Sequence, residues 1–325
     1  MRRALQSLKV PEFPKYFLHG ILECITNTFV MLRPSQVVKA HVTTESGFAA
    51  GASVCCLRSL VASVDTSLSA GIRVHVWRFS ARSILVWWRF RLSHPVQCRS
   101  VNVLSARAVF LPGSARLLVS DPCRNCVHVL DAATRCHIGF LSRPGNIEEP
   151  RSIAVHGALV AIIAGAHEIR LFQECGDVRW QCLRTIQMQQ WSCRTYNMRF
   201  TYDGLFLVIP GASATVDVVQ VSSGLNVFQL TCPTQDIEQV QGGWLVCGKG
   251  QVVHTATNNE RRNWTPVCCI QDCFYTVKGL AMVRGFGLIV VQATKDNRLC
   301  IFGDADQLAM MHMSPMRVAF MSAVA

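Results

Sequence analysis

Two kinds of hydrophobic spacing divide the chain. Near its start, Phe17, Leu18, Ile21, Leu22, Ile25, Phe29 and Leu32 recur every three or four positions, the period of a helix with one apolar face. From about residue 100 that period is gone. Short runs of Val, Ile, Leu and Phe follow, separated by Gly, Pro, Asp and Asn, which is the pattern of strands joined by tight turns. The spacing predicts an extension over residues 1–55 with an amphipathic helix, then an all-β body over 56–325.

The strand runs repeat. "ARAVFLPGSARLLVSDPCRNCVHVLDAATRCHIGFL" (106–141) and "RSIAVHGALVAIIAGAHEIRLFQECGDVRWQCLRTI" (151–186) share one grammar: strand, Gly turn, strand, polar loop, strand, turn, strand. Related units begin near 196, 235 and 278. Their first-strand anchors Val109, Ile153, Met198, Ile237 and Leu280 are spaced by 44, 45, 39 and 43 residues. Four strands in about forty residues mark a β-propeller blade, a small sheet that buries its faces only when others stack beside it. Five blades are legible, and residues 60–88 supply a sixth with irregular turns. A closing strand at Met316–Met321 pairs with the early segment in this scheme, since mixing distant strands in one blade removes the open edges. The expectation is a six-bladed propeller of four-stranded blades.

Some hairpins carry a more specific likeness. In "VSDPCRNCVHVLD", Asp121, Asn125, Val127 and Val129 match the core of the NHL repeat, as do Asn297, Arg298, Leu299, Ile301 and Phe302 in "VVQATKDNRLCIF". "EPRSIAV" (149–155) is similar to that family's Pro-Gly-Ile-Ala-Val strand, with Arg151 and Ser152 where the Gly would lie. Over about residues 100–320 the chain resembles a degenerate NHL-repeat propeller. A WD-type propeller fits less well because the chain has no Trp-Asp pair. The resemblance implies binding of a protein partner or, as in some relatives, of RNA. No RING finger accompanies it, so a ubiquitin-ligase role has no support.

Composition narrows the picture. Half the residues are hydrophobic and 16% are charged, against roughly 25% charged in an average soluble domain, which excludes a disordered chain. The net charge of +12 is uneven: residues 1–100 hold thirteen Lys or Arg against four acids, leaving +3 for the rest. The propeller region is therefore not a general phosphate-neutralising surface. Sixteen cysteines are scattered, with adjacent pairs at Cys55/Cys56 and Cys268/Cys269, which suits reduced thiols better than a disulfide framework. Lys9, Pro11, Glu12, Pro14 and Lys15 interrupt any signal-peptide core, and "YFLHGILECITNTFVML" is too short and polar for a transmembrane helix. A cytoplasmic protein is expected.

Candidate chemistry is sparse. Cys123 and Cys126 form the only Cys-x-x-Cys; a zinc site wants a second pair or two His, and a redox pair wants a helix N-terminus, so a turn is the expected reading. His128 alternates with Val127 and Val129, which places it on the other side of its strand and not as a ligand. "GGWLVCGKG" approaches a phosphate loop, but Gly250 stands where the hydroxyl must be, and Trp244–Cys247 reads as a strand. Trp87 and Trp88 beside Arg89 and Arg91 can stack on single-stranded nucleic acid or fill a core. No nucleophile elbow or zinc-protease motif occurs. No catalytic, cofactor-binding or metal residue is assigned, and no cofactor is expected. The function expected is a non-enzymatic platform binding a protein partner, with RNA binding or an enzyme site at the propeller mouth as alternatives. The candidate interaction residues lie in loops between second and third strands: Arg124 and Asn125, His167 and Glu168, and Lys295, Asp296, Asn297 and Arg298.

Overall fold

The computed structural model describes residues 37–42, 53–57, 59–67, 71–80, 83–92, 106–165, 167–176, 179–188, 197–211, 215–231, 236–240, 243–247, 251–258, 263–271, 277–283, 288–293, 298–304 and 320–321. Among these residues every regular element is a strand. Strand β1 is Val37–Val42. Blade I comprises β2 (Ser53–Leu57), β3 (Leu60–Ser67), β4 (Gly71–Ser80) and β5 (Ser83–Arg91). Blade II comprises β6 (Ala108–Phe110), β7 (Arg116–Asp121), β8 (Cys126–Asp131) and β9 (Cys136–Ser142). Blade III comprises β10 (Ser152–His156), β11 (Leu159–Ala164), β12 (Glu168–Glu174) and β13 (Trp180–Gln187). Blade IV comprises β14 (Arg199–Phe200), β15 (Phe206–Pro210), β16 (Thr215–Gln220) and β17 (Asn226–Thr231). Blade V comprises β18 (Asp236–Val240), β19 (Gly243–Cys247), β20 (Gln251–Asn258) and β21 (Asn263–Gln271). Blade VI holds β22 (Val277–Val283), β23 (Leu288–Ala293) and β24 (Arg298–Asp304), and β25 is Phe320–Met321.

Each of blades I to V is an antiparallel meander of four strands in chain order, and the sixth sheet runs β22-β23-β24-β1-β25. The chain is therefore an all-β propeller. Each expected anchor stands on or beside the first strand of its blade, and Met198, Ile237 and Leu280 are wholly buried. The first strands pack in sequence: β6 on β2, β10 on β6, β14 on β10, β22 on β18, and β2 back on β22.

The core lies between blades. Leu117, Val119 and Leu130 of blade II join Val64, Val74 and Val76 of blade I, while Leu118, Val127 and Val129 turn the other way to meet Ile153, Val160 and Ile162 of blade III. Ala161 and Ile163 then meet Met198, Leu207 and Ile209 of blade IV. A strand buried on both faces has no need of a polar alternate position, so Leu117–Val119 and "LVAIIA" read as unbroken apolar runs. Outer strands β9 and β13 have one such neighbour and are largely exposed.

One feature recurs in every four-stranded blade. The pairing of third with fourth strand shifts register at Val76/Trp77, at Val127/His128 and Val129/Leu130, at Leu171/Phe172, at Val218/Val219 and at His254/Thr255. In each case the extra residue belongs to the outer strand. Such bulges increase local twist and let the outermost strand curl away from the radial sheet.

The sheets reach further toward the start of the chain than the expected boundary at residue 55. Val37–Val42 pairs antiparallel with β24, Ala40 opposite Ile301, and Ala40 also opposes Phe320 of β25. Distant strands do mix in the closing sheet, but the tail pairs with Val37–Val42 and not with the expected segment 60–88, which lies in a four-stranded blade of its own. Blade I opens at Ser53. The helix expected across residues 17–32 lies outside the described residues. No helix among the described residues is long and apolar enough to cross a membrane.

Candidate functional site

The loops singled out in the sequence connect second to third strands, so blades II and III present theirs on one face. Residues 122–125 join β7 to β8 and carry Arg124 and Asn125; residues 165–167 join β11 to β12, where His167 is exposed and Glu168 opens the strand. Lys295, Asp296 and Asn297 lie outside the described residues, and Arg298 opens β24.

The first two loops are stitched together by the blade II–III connection. Asn125 adopts a left-handed backbone (φ 53°), a conformation Asn tolerates better than most residues. Its Oδ1 accepts the Glu149 amide at 2.8 Å, and its carbonyl accepts the Gly145 amide at 3.1 Å. On the other side, the Glu148 carbonyl accepts the Gly165 amide at 2.7 Å, and Arg170 Nη1 donates to the Asn146 carbonyl at 2.6 Å. Two turns from different blades thus share one hydrogen-bonded rim. Its charges are mostly paired, Arg151 with Glu149 and Arg170 with Glu168, each at 2.6 Å.

Beneath Arg124 lies a cluster the sequence reading missed. Regular pairing of β7 with β8 sets Asp121 opposite Cys126 and Val119 opposite His128. Residues two apart on a strand share a face, so Cys126 and His128 converge on Asp121, all three buried. His128 Nε2 stands 3.3 Å from Asp121 Oδ2 and 3.7 Å from Cys126 Sγ. Asp121 Oδ1 accepts the amides of Cys123 and Arg124, both at 3.1 Å, which forms the turn. On its far side His128 Nδ1 meets His137 Nε2 at 3.1 Å, with Phe140 against both rings. The two extra residues of β9, Ile138 and Leu141, bring His137 and Phe140 opposite this face. Burial, and then the neighbouring Asp121 charge, push the Cys126 thiol up to about 12. Burial, and then His128, hold the His137 ring below its ordinary value.

His128 does face away from Val127 and Val129, as expected, but the side it faces is the one occupied by Asp121 and Cys126. The available signal was Cys-x-His on one strand with an Asp closing the same hairpin. Cys123 and Cys126 are not a redox pair. Cys126 is a free thiol, whereas Cys123 is disulfide-bonded. At Cys123 the expectation of reduced thiols does not hold.

The first strands gather a second polar group. Arg199 of β14 approaches Asp236 (3.7 Å) and Glu238 (3.4 Å) of β18 and donates to the Ile237 and Leu280 carbonyls at 3.1 and 3.2 Å. Asp236 is saturated by donors: Asn197 Nδ2 at 2.6 Å, the Leu280 amide at 2.7 Å and its neighbour Ile237 at 2.8 Å. Burial pushes its carboxyl up to about 6 against the pull of Arg199. Both groups are spent on joining blades IV, V and VI, a structural use of charge at the propeller centre.

No family model matches the sequence, and no curated protein matches it either. The fold is similar to a chain in the crystal structure of a mitotic checkpoint complex, with a TM-score of 0.55 at 11% identity, covering 86% of this chain and 96% of that one. At that identity the likeness supports the propeller arrangement and nothing finer.

Proposed function

We propose that this propeller is a non-enzymatic platform that binds a protein partner through the face carrying its second-to-third-strand loops. The observation that supports the reading is the shared rim of blades II and III. Loops already tied to one another lose little freedom on binding, so contact energy is not consumed in ordering them. The rim mixes Arg124, Arg143 and His167 with Glu148, Glu149 and Glu168, all exposed or half-buried. Such a surface suits a protein partner of mixed charge; an RNA backbone would call for unopposed cations. The likeness to a component of a protein complex agrees with this. An NHL-type assignment remains part of the proposal, resting on the hairpin motifs alone.

The test compares proteins captured by the wild-type chain with those captured by the double variant Arg124→Glu/Glu148→Lys. A control, Leu225→Lys, alters an exposed residue (65%) in a loop on the opposite face. Loss of the same partners from the rim variant, with retention by the control, supports the platform. Equal capture by all three overturns it. Retention of random RNA that falls steeply with salt and disappears in Arg124→Glu would transfer the rim to RNA binding.

A further inference from the structure

We propose that Asp121, Cys126 and His128 form a binding site for one zinc-type divalent cation, clamping the hairpin beneath the rim. The donor atoms of these residues all lie within 4.8 Å of one another and all three residues are buried. A tetrahedral ion with bonds of about 2.0–2.3 Å sets its ligand atoms about 3.3–3.8 Å apart. The two separations involving His128 Nε2, 3.3 Å to carboxylate and 3.7 Å to sulfur, fall in that interval.

The surroundings are those of a ligand set held in advance. Metal-bound imidazoles are oriented by a partner on the second ring nitrogen, and metal-bound carboxylates by hydrogen bonds to the other oxygen. His128 Nδ1 has His137, and Asp121 Oδ1 has the Cys123 and Arg124 amides. The outward donors Nε2, Oδ2 and Sγ are left facing one another. One thiolate, one carboxylate and one neutral imidazole balance a dication, and the thiol proton leaves to solvent on binding. The sulfur and nitrogen ligands select zinc over magnesium or calcium, which take oxygen. Arg124 Nε lies 4.0 Å from Asp121 Oδ2 on a side chain 40% exposed, too far for a hydrogen bond to that oxygen, and its Nη1 donates instead to the Leu92 carbonyl at 3.3 Å. Three protein ligands leave a fourth position for water.

The alternative occupant is nothing: a hydrogen-bonded Asp121–His128–His137 row. Cobalt(II) titration of the full-length chain separates the two. The parent carries Cys136→Ser, Cys175→Ser and Cys182→Ser, which removes the exposed free thiols among the described residues. The expected result is a thiolate-to-cobalt absorption band saturating at one equivalent. That band is lost in Cys126→Ser, and His137→Ala, a positioning change, weakens affinity roughly 10- to 100-fold without altering the spectrum. No band in the parent, or the same band in Cys126→Ser, overturns the site. X-ray absorption of the zinc-loaded parent needs no folding of the variants. A shell of one sulfur at about 2.3 Å with nitrogen or oxygen at about 2.0–2.2 Å supports the site; a shell with no sulfur or several overturns it.

Discussion

Asn197 of blade IV donates to Asp236 of blade V at 2.6 Å, both side chains buried. The same carboxylate takes the Leu280 amide of blade VI, so one group joins three blades. Removing it as Asp236→Ala leaves Arg199 with half its counter-charge and three donors without an acceptor. Breaking a buried pair from one side costs roughly 3–5 kcal/mol. A fall of that size in urea unfolding free energy is expected, and a loss under 1 kcal/mol would show that the network holds nothing.

The same residue sets a pH dependence. Burial raises its carboxyl from an ordinary 3.8 to about 6, so between those values the folded chain retains a proton that the unfolded chain sheds. Its contribution is therefore fully present below pH 4 and lost as pH rises through 6, by at most about 3 kcal/mol. Wild-type stability relative to Asp236→Asn, measured from pH 4 to 7, is expected to fall across this window and level above it. A rise would reverse the direction of the shift.

Two glycines in equivalent first-to-second-strand turns should respond unequally to alanine. Gly157 (φ +56°) has open space where a Cβ would stand, so Gly157→Ala carries only backbone strain, about 1 kcal/mol. At Gly204 (φ +70°) a Cβ would overlap the His156 ring of the neighbouring blade, and that ring packs on Phe200. Gly204→Ala is expected to cost about 3 kcal/mol, read as a larger drop in melting temperature. Equal losses would mean that His156 moves aside freely.

Asn125 tests the rim. Asn125→Gly keeps the left-handed backbone and loses the Glu149 contact, whereas Asn125→Ala loses both. Costs of about 1 and about 2 kcal/mol are expected, together with faster proteolytic cutting across residues 143–149. Unchanged cutting would argue that the connection is held elsewhere.

Much of the blade architecture is legible in the chain because a second strand buried on both faces reads as a run of apolar residues, as at Leu117–Val119 and Leu159–Ala164. Val109, Ile153, Met198, Ile237 and Leu280 announce themselves by the repeat of those runs, at intervals of 39 to 45 residues. Val37–Val42 does not, since its partner lies at residues 299–304 and no local signal reports so distant a pairing. The outer-strand bulges at Trp87, Leu183, Val227 and Val267 are equally silent, being defined by what stands opposite. At the site, Asn125 and Arg124 are readable from turn chemistry. The Asp121–Cys126–His128 convergence is not, because the Cys-x-x-Cys spacing draws the eye along the chain when the relevant neighbour lies across the hairpin.

The strand at Val37–Val42 has a consequence for biosynthesis. Its partner leaves the ribosome after some 260 further residues, which at about 5–20 residues per second is a delay of tens of seconds. Through that interval the early strand is an unsatisfied edge, and whatever shields it then decides how much of the translated chain reaches its closed form.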